Sequence, residues 1–172
     1  RGSDPLLSGV SVNADEGTLR RFFERLVKIA SRNGTPKMAT LPRAMRRDLD
    51  VAGLLAASVC QDSDRIAEIA TASGADPEAL QAVAALVSIP FLQACHRRWG
   101  SSVSTAWAKG YCPVCGSWPA FAELRGIERS RHLRCGRCGG AWHAEILHCA
   151  YCENRDHDDL ATLSPEKPGS AG

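Results

Sequence analysis

The chain has 172 residues, a formal net charge of +2, 44% hydrophobic and 23% charged residues. That length and composition suit one large or two small globular domains. A charge this near balance argues for neither a nucleic acid nor an acidic membrane surface as partner, and no unbroken run of 18 apolar residues marks a membrane span.

Arg1-Gly2-Ser3-Asp4-Pro5 reads as a tag remnant or cloning junction and is set aside, and no charged-then-apolar signal pattern follows it. Leu19, Phe22, Phe23, Leu26, Val27 and Ala30 recur at helical spacing, with Gly34 as the stop. Thr35-Pro36 and Leu41-Pro42 punctuate the following loop. A second helix is expected from near Pro42 to Cys60, with Leu49, Leu54 and Ala57 on one face. Asp62 or Ser63 caps a third helix, which runs through Ile66 and Ile69 to Gly74. Asp76-Pro77-Glu78 starts a fourth: the Asp caps it, the Pro fits the first turn, and the Glu complements the helix dipole. Leu80, Val83, Leu86 and Val87 continue that helix, Pro90 kinks or ends it, and the pattern resumes from Phe91 to Trp99. Gly100-Ser101-Ser102 breaks it.

From Gly110 the helical period disappears, while glycine, cysteine and aromatic residues rise. The expected fold class is α+β. An α-helical domain at 6–109 precedes a small β-rich metal-knuckle domain at 110–163, of rubredoxin-like or zinc-ribbon type, and 164–172 is a Pro/Gly/Ser-rich tail.

Six of the eight cysteines fall into three Cys-x-x-Cys pairs: Cys112/Cys115, Cys135/Cys138 and Cys149/Cys152. A tight turn puts both thiolates of a pair on one side of a loop, where backbone amides point at the sulfurs. The 19 residues between Cys115 and Cys135 allow a strand, a turn and a returning strand. Two knuckles facing each other across such a hairpin give a closed tetrahedral four-sulfur site for one zinc or iron ion. Four protein thiolates leave no open position, so the site is structural, or electron-carrying if it holds iron. Paired thiols at this spacing suit a reducing compartment, which places the protein in the cytoplasm.

The third pair has no fourth to meet. His143, His148 or His157 could complete a mixed site, two protomers of a homodimer could share a metal, or the partner pair could lie outside this chain. A redox dithiol is a further option, without the strand–helix context it usually has.

Other residues favour plain readings. Trp118 and Trp142 are expected in the small domain's core, Cys60 and Cys95 as buried helical cysteines, and Asp156-His157-Asp158-Asp159 as a solvated loop. Arg125, Arg129, Arg131, Arg134 and Arg137 form a basic run, but residues 110–160 carry six arginines against seven acidic residues. That balance favours a solvated face, or a site for an acidic partner, over a nucleic-acid surface. No nucleophile elbow, phosphate loop, dinucleotide fingerprint or His-Glu-x-x-His motif appears, and the chain is expected not to be an enzyme.

"YCPVCGSWP" at 111–119 and "RHLRCGRCGGAWHAEILHCAYCE" at 131–153 resemble the formate dehydrogenase accessory proteins, the FdhE family. Arg131, Leu133, Trp142 and His143 fall on matching positions, and His132 stands where the family usually has Tyr. "LPRA" at 41–44 and the Ala-rich helix before Trp99 resemble its helical region more loosely. The resemblance implies four Cys-x-x-Cys pairs in two sites, the fourth pair lying further toward the C-terminus. On that basis the chain is expected to be a C-terminally truncated fragment, with Cys149 and Cys152 as half of a second site. The resemblance also implies a cytoplasmic maturation factor that binds the catalytic (alpha) subunit of formate dehydrogenase. The alternatives are a nucleic-acid-binding zinc ribbon, resting on the arginine run, and an iron rubredoxin-like redox protein.

Overall fold

The computed structural model describes residues 4–11, 13–45 and 49–160. Five helices come first: α1 (Glu16–Asn33), α2 (Leu41–Met45), α3 (Val51–Cys60), α4 (Ser63–Ser73) and α5 (Pro77–Trp99). A three-stranded antiparallel sheet follows in the order β1 (Pro119–Arg125), β2 (Ser130–Cys135), β3 (Ala141–His143). The tail expected at 164–172 lies outside the described residues, as do residues 161–163 and 1–3.

Aspartates start four of the helices. Asp15, Asp50, Asp62 and Asp76 each accept a hydrogen bond from the backbone N–H three residues on, at 2.7–3.0 Å. Each bond satisfies one of the first-turn donors that a helix leaves unpaired. Replacing Asp76 by alanine is expected to lower stability by about 1 kcal/mol, read as a lower urea midpoint with unchanged slope.

The expected helix from Pro42 to Cys60 is instead two, α2 and α3, with the new start at Asp50. The Asp50 carboxylate folds over the first turn of α3, and a Cβ on Gly53 would lie only 2.1 Å from it. A side chain there would evict the cap. α5 shows the opposite outcome, because it runs unbroken through Pro90 to Trp99. Proline frees the carbonyl four residues earlier, that of Leu86, and Leu86 and Pro90 both lie on the exposed face, where water can bond it.

Helix α3 touches α1, α4 and α5, and α5 also touches α1 and α4. Phe23, Leu54, Ile66, Leu80, Val83 and Leu92 close the helical core. Burying side chains of that size contributes about 1.5–3 kcal/mol each. α5 is long and apolar enough to cross a bilayer by length and composition, but 44% of its apolar window is buried inside this fold. Its apolar face is a core face.

The β1–β2 hairpin positions the knuckles. Its register pairs Pro119 with Cys135 and Arg125 with Ser130, around a turn at Gly126 and Arg129, both with positive φ. The pairing brings the end of β2 beside the loop that leads into β1. β3 then pairs Trp142 with Leu133, and Trp142 is buried as expected. Trp118 is not: it stays 48% exposed and stacks on Tyr151 at 5.1 Å, because it faces the third knuckle rather than the sheet.

The segment between α5 and β1 packs on itself and on the sheet. Trp142 Nε1 donates to Lys109 O (3.1 Å) and Trp107 Nε1 to Tyr111 O (2.9 Å). At the N-terminus, Leu6 N–H donates to Pro113 O (2.8 Å) and Leu7 N–H to Val114 O (2.9 Å), so this segment lies along the first knuckle.

Candidate metal centre

Cys112 and Cys115 flank a turn that leads into β1, and Cys135 and Cys138 flank the turn that leaves β2. All four side chains are buried, and their sulfurs lie within 4.8 Å of one another. Cys112 Sγ is 3.5 Å from Cys138 Sγ, and Cys115 Sγ is 3.5 Å from Cys135 Sγ. Four sulfurs bound tetrahedrally at about 2.3 Å from zinc would sit about 3.8 Å apart, so the cluster is of the right size for one ion.

Backbone amides already point at these sulfurs. Arg137 N–H and Cys138 N–H both donate to Cys135 Sγ at 3.4 Å, and Gly140 N–H donates to Cys138 Sγ at 3.4 Å. The Cys135 thiol is pulled far below its ordinary range by hydrogen bonding with Cys112 first, then with Cys115 and Cys138. Cys112 is pushed far up by its contacts with Cys115, Cys135 and Cys138 and by burial. Cys115 is lowered as well and Cys138 raised, so two sulfurs are held toward the thiolate and two toward the thiol, because four negative charges cannot crowd together in a buried pocket. A divalent cation removes that conflict. Zinc and tetrahedral iron both satisfy this donor set.

The third pair is folded as a knuckle too. Cys112 N–H donates to Ser117 O and Gly116 N–H to Cys112 O; Cys135 N–H donates to Gly140 O and Gly139 N–H to Cys135 O. Cys149 N–H donates to Asn154 O (2.8 Å) and Glu153 N–H to Cys149 O (3.0 Å), the same two bonds at the same offsets. The residue after each second cysteine has positive φ: Gly116 at 73°, Gly139 at 75° and Glu153 at 59°. At the third knuckle a non-glycine residue takes the left-handed conformation, a strain of order 1 kcal/mol that the loop tolerates. The Cys149 thiol is lowered, by the backbone N–H of Cys152 first and that of Tyr151 second.

This knuckle is open. Cys152 is exposed and Cys149 half-buried, and among the described residues no third cysteine, histidine or carboxylate joins them. His143 faces His132, with ring centroids 5.7 Å apart, and His157 stands with Asp156 and Asp158 in an exposed group. The loop is held by Arg131, which donates to Glu145 O (2.9 Å) and His148 O (2.6 Å), and by Tyr151, whose hydroxyl donates to Pro119 O (3.2 Å). All eight cysteines are free of disulfides. Cys95 is buried as expected, while Cys60 is exposed because it occupies the outer side of the last turn of α3.

The basic run has internal work. Arg125 and Arg134 both bond Glu123, and Arg134 also donates to Gly139 O (3.1 Å). Arg131 holds the third knuckle, and Arg137 reaches back to the helices. Apart from Arg125, which bonds Glu123 on its own strand, these roles were not visible in the spacing, because the partners lie on other elements.

No family model matches the chain. Curated proteins named Protein FdhE from Salmonella choleraesuis (strain SC-B67) and Salmonella newport (strain SL254) are 32% identical to it over 74 residues, 38% of this chain and 24% of their own length. The match thus spans about a quarter of those relatives. The crystal structure of the FdhE protein from Pseudomonas aeruginosa is similar at a TM-score of 0.43 and 25% identity, covering 95% of this chain and 63% of that one.

Proposed function

Over the stretch that it shares with its curated relatives this chain is an FdhE-family protein, and from that premise we propose that it serves as an accessory factor in the assembly of formate dehydrogenase. In this reading it binds the catalytic subunit in the cytoplasm and carries out no catalysis of its own. The helical domain, 6–109, and the metal-knuckle domain, 110–163, are its working parts. Cys112, Cys115, Cys135 and Cys138 hold one zinc or iron ion. The observation that carries the reading is this buried tetrad with its amides already aimed at the sulfurs. A bound ion would supply the cross-link that a sheet of three short strands cannot supply from its own core. Four protein ligands leave no position for substrate.

The nucleic-acid alternative loses support here, because Arg125, Arg131, Arg134 and Arg137 are engaged within the fold. Cys149 and Cys152 are proposed as half of a second metal site, completed from outside this chain. Their amides and left-handed turn match those of the first two knuckles.

The test is a pull-down with this chain as bait and the formate dehydrogenase catalytic subunit from the same cell as prey. A Cys112→Ser/Cys115→Ser bait serves as control. Capture by the parent, with loss in the control, is the expected result. Failure both of this chain and of one extended to the relatives' length would end the maturation reading.

A further inference from the structure

We propose that Arg137 is a latch that couples metal loading at the four-sulfur site to the C-terminal end of α3, so that the helical domain senses whether the knuckle is filled. The inference rests on the reading that the tetrad holds a metal.

Arg137 lies between Cys135 and Cys138, inside the second knuckle. Its backbone N–H donates to Cys135 Sγ at 3.4 Å. Its side chain crosses to the helices. The guanidinium donates to Ser58 O, to Val59 O at 3.4 Å and to Ser88 Oγ at 3.1 Å. Ser58 and Val59 belong to the last turn of α3, whose carbonyls lack the usual amide four residues on; Ser58 O accepts from the cap amide Gln61 N–H and takes the guanidinium as a second donor. A cation there satisfies them and opposes the helix dipole. Ser58 and Ser88 are buried, and Ser58 Oγ donates across to Ala84 O of α5 at 2.7 Å. The arginine therefore bonds to both walls of the α3–α5 seam.

A second contact runs in parallel. A Cβ on Gly140 would lie 3.0 Å from His96 Cδ2 and 3.2 Å from both His96 Nε2 and Cys138 Sγ. The last turn of α5 thus packs directly on the second knuckle.

The knuckle's shape is set by amide–sulfur bonds, and these strengthen when the sulfurs carry the charge that a bound ion stabilises. With cysteine ligands on both sides, the backbone of Arg137 cannot hold its place if the knuckle opens. A displaced guanidinium leaves the buried end of α3 without the donor that Arg137 gives to Val59 O, and leaves Ser58 O with Gln61 N–H alone. The filled knuckle therefore favours the capped α3, and the capped α3 favours the filled knuckle, by the same factor.

The experiment follows hydrogen exchange in α3 and its cap together with metal content. The cap amides are Gln61 N–H, which bonds Ser58 O, and Asp62 N–H, which bonds Ala57 O. Removing the metal with a chelator under reducing conditions is expected to speed exchange at Gln61 and Asp62 about tenfold. Arg137→Ala loaded with one ion should show the same acceleration, and its metal affinity should fall by a similar factor. Ser88→Ala, which leaves the knuckle untouched, should shift both in the same direction by less. Unchanged α3 exchange in the metal-free protein and in the loaded variants would overturn the coupling alone. A chain that binds no metal at the tetrad would overturn the metal reading and the latch together.

Discussion

Changing Cys135 to serine is expected to strip the metal from the tetrad and unfold the sheet while α1 to α5 stay helical. Cys135 accepts two backbone amides, those of Arg137 and Cys138, so it anchors the cluster. A serine hydroxyl is a poor ligand for zinc or iron in this setting. The binding energy at stake is large: in zinc-finger peptides a structural zinc contributes about 10–16 kcal/mol, and that energy is folding energy. The sheet has little to replace it, with Leu133, Val114 and Trp142 among its few buried large side chains. Elemental analysis would give the metal content, and hydrogen exchange along β1 to β3 would give the state of the sheet. A Cys135→Ser protein that kept one full equivalent of metal and a protected sheet would remove the tetrad from the account.

Gly110→Ala should destabilise the protein by about 3 kcal/mol or more, the range in which severe single substitutions fall. A Cβ at Gly110 would lie 1.8 Å from Ala150 O. No rotamer relieves a clash with a backbone carbonyl, so either the chain leading to Cys112 or the third knuckle must move. Displacement of the knuckle would also change the reactivity of Cys149 and Cys152 toward a thiol reagent. Gly17→Ala is the control, since its nearest neighbour is the end of Arg21 at 3.6 Å. It sits in the first turn of α1, where alanine should add about 0.5–1 kcal/mol. Thermal melts of the two variants should move in opposite directions, and equal shifts would refute the packing argument.

Helix starts were legible because each is a local event. An aspartate three residues ahead of an amide is visible in sequence, as at Asp62 and Asp76. Asp50 offered the same signal, but Leu49, Leu54 and Ala57 suggested one continuous face and hid the break. Pro90 was harder, since whether a proline ends a helix depends on which way its face points, and tertiary packing decides that. The four converging cysteines followed from spacing and a hairpin of the right length. The third pair was legible as another Cys-x-x-Cys, but its left-handed turn was not, because Glu153 stands where the others carry glycine. Arg137 read as one member of a basic run, yet its partners lie 49 to 79 positions away in sequence. No periodicity carries information over that distance.

The placement of the indoles has an optical consequence. Trp99 ends α5, and Trp107, Trp118 and Trp142 all follow it, so α1 to α4 contain no tryptophan. Intrinsic fluorescence thus reports on the end of α5, the segment after it and the knuckle region but not on α1 to α4, whereas far-ultraviolet dichroism is dominated by the helices. Recorded on one sample as temperature or chelator rises, the two signals separate the melting of the two halves without any label. Coincident curves would mean that sheet and helices unfold as one cooperative unit.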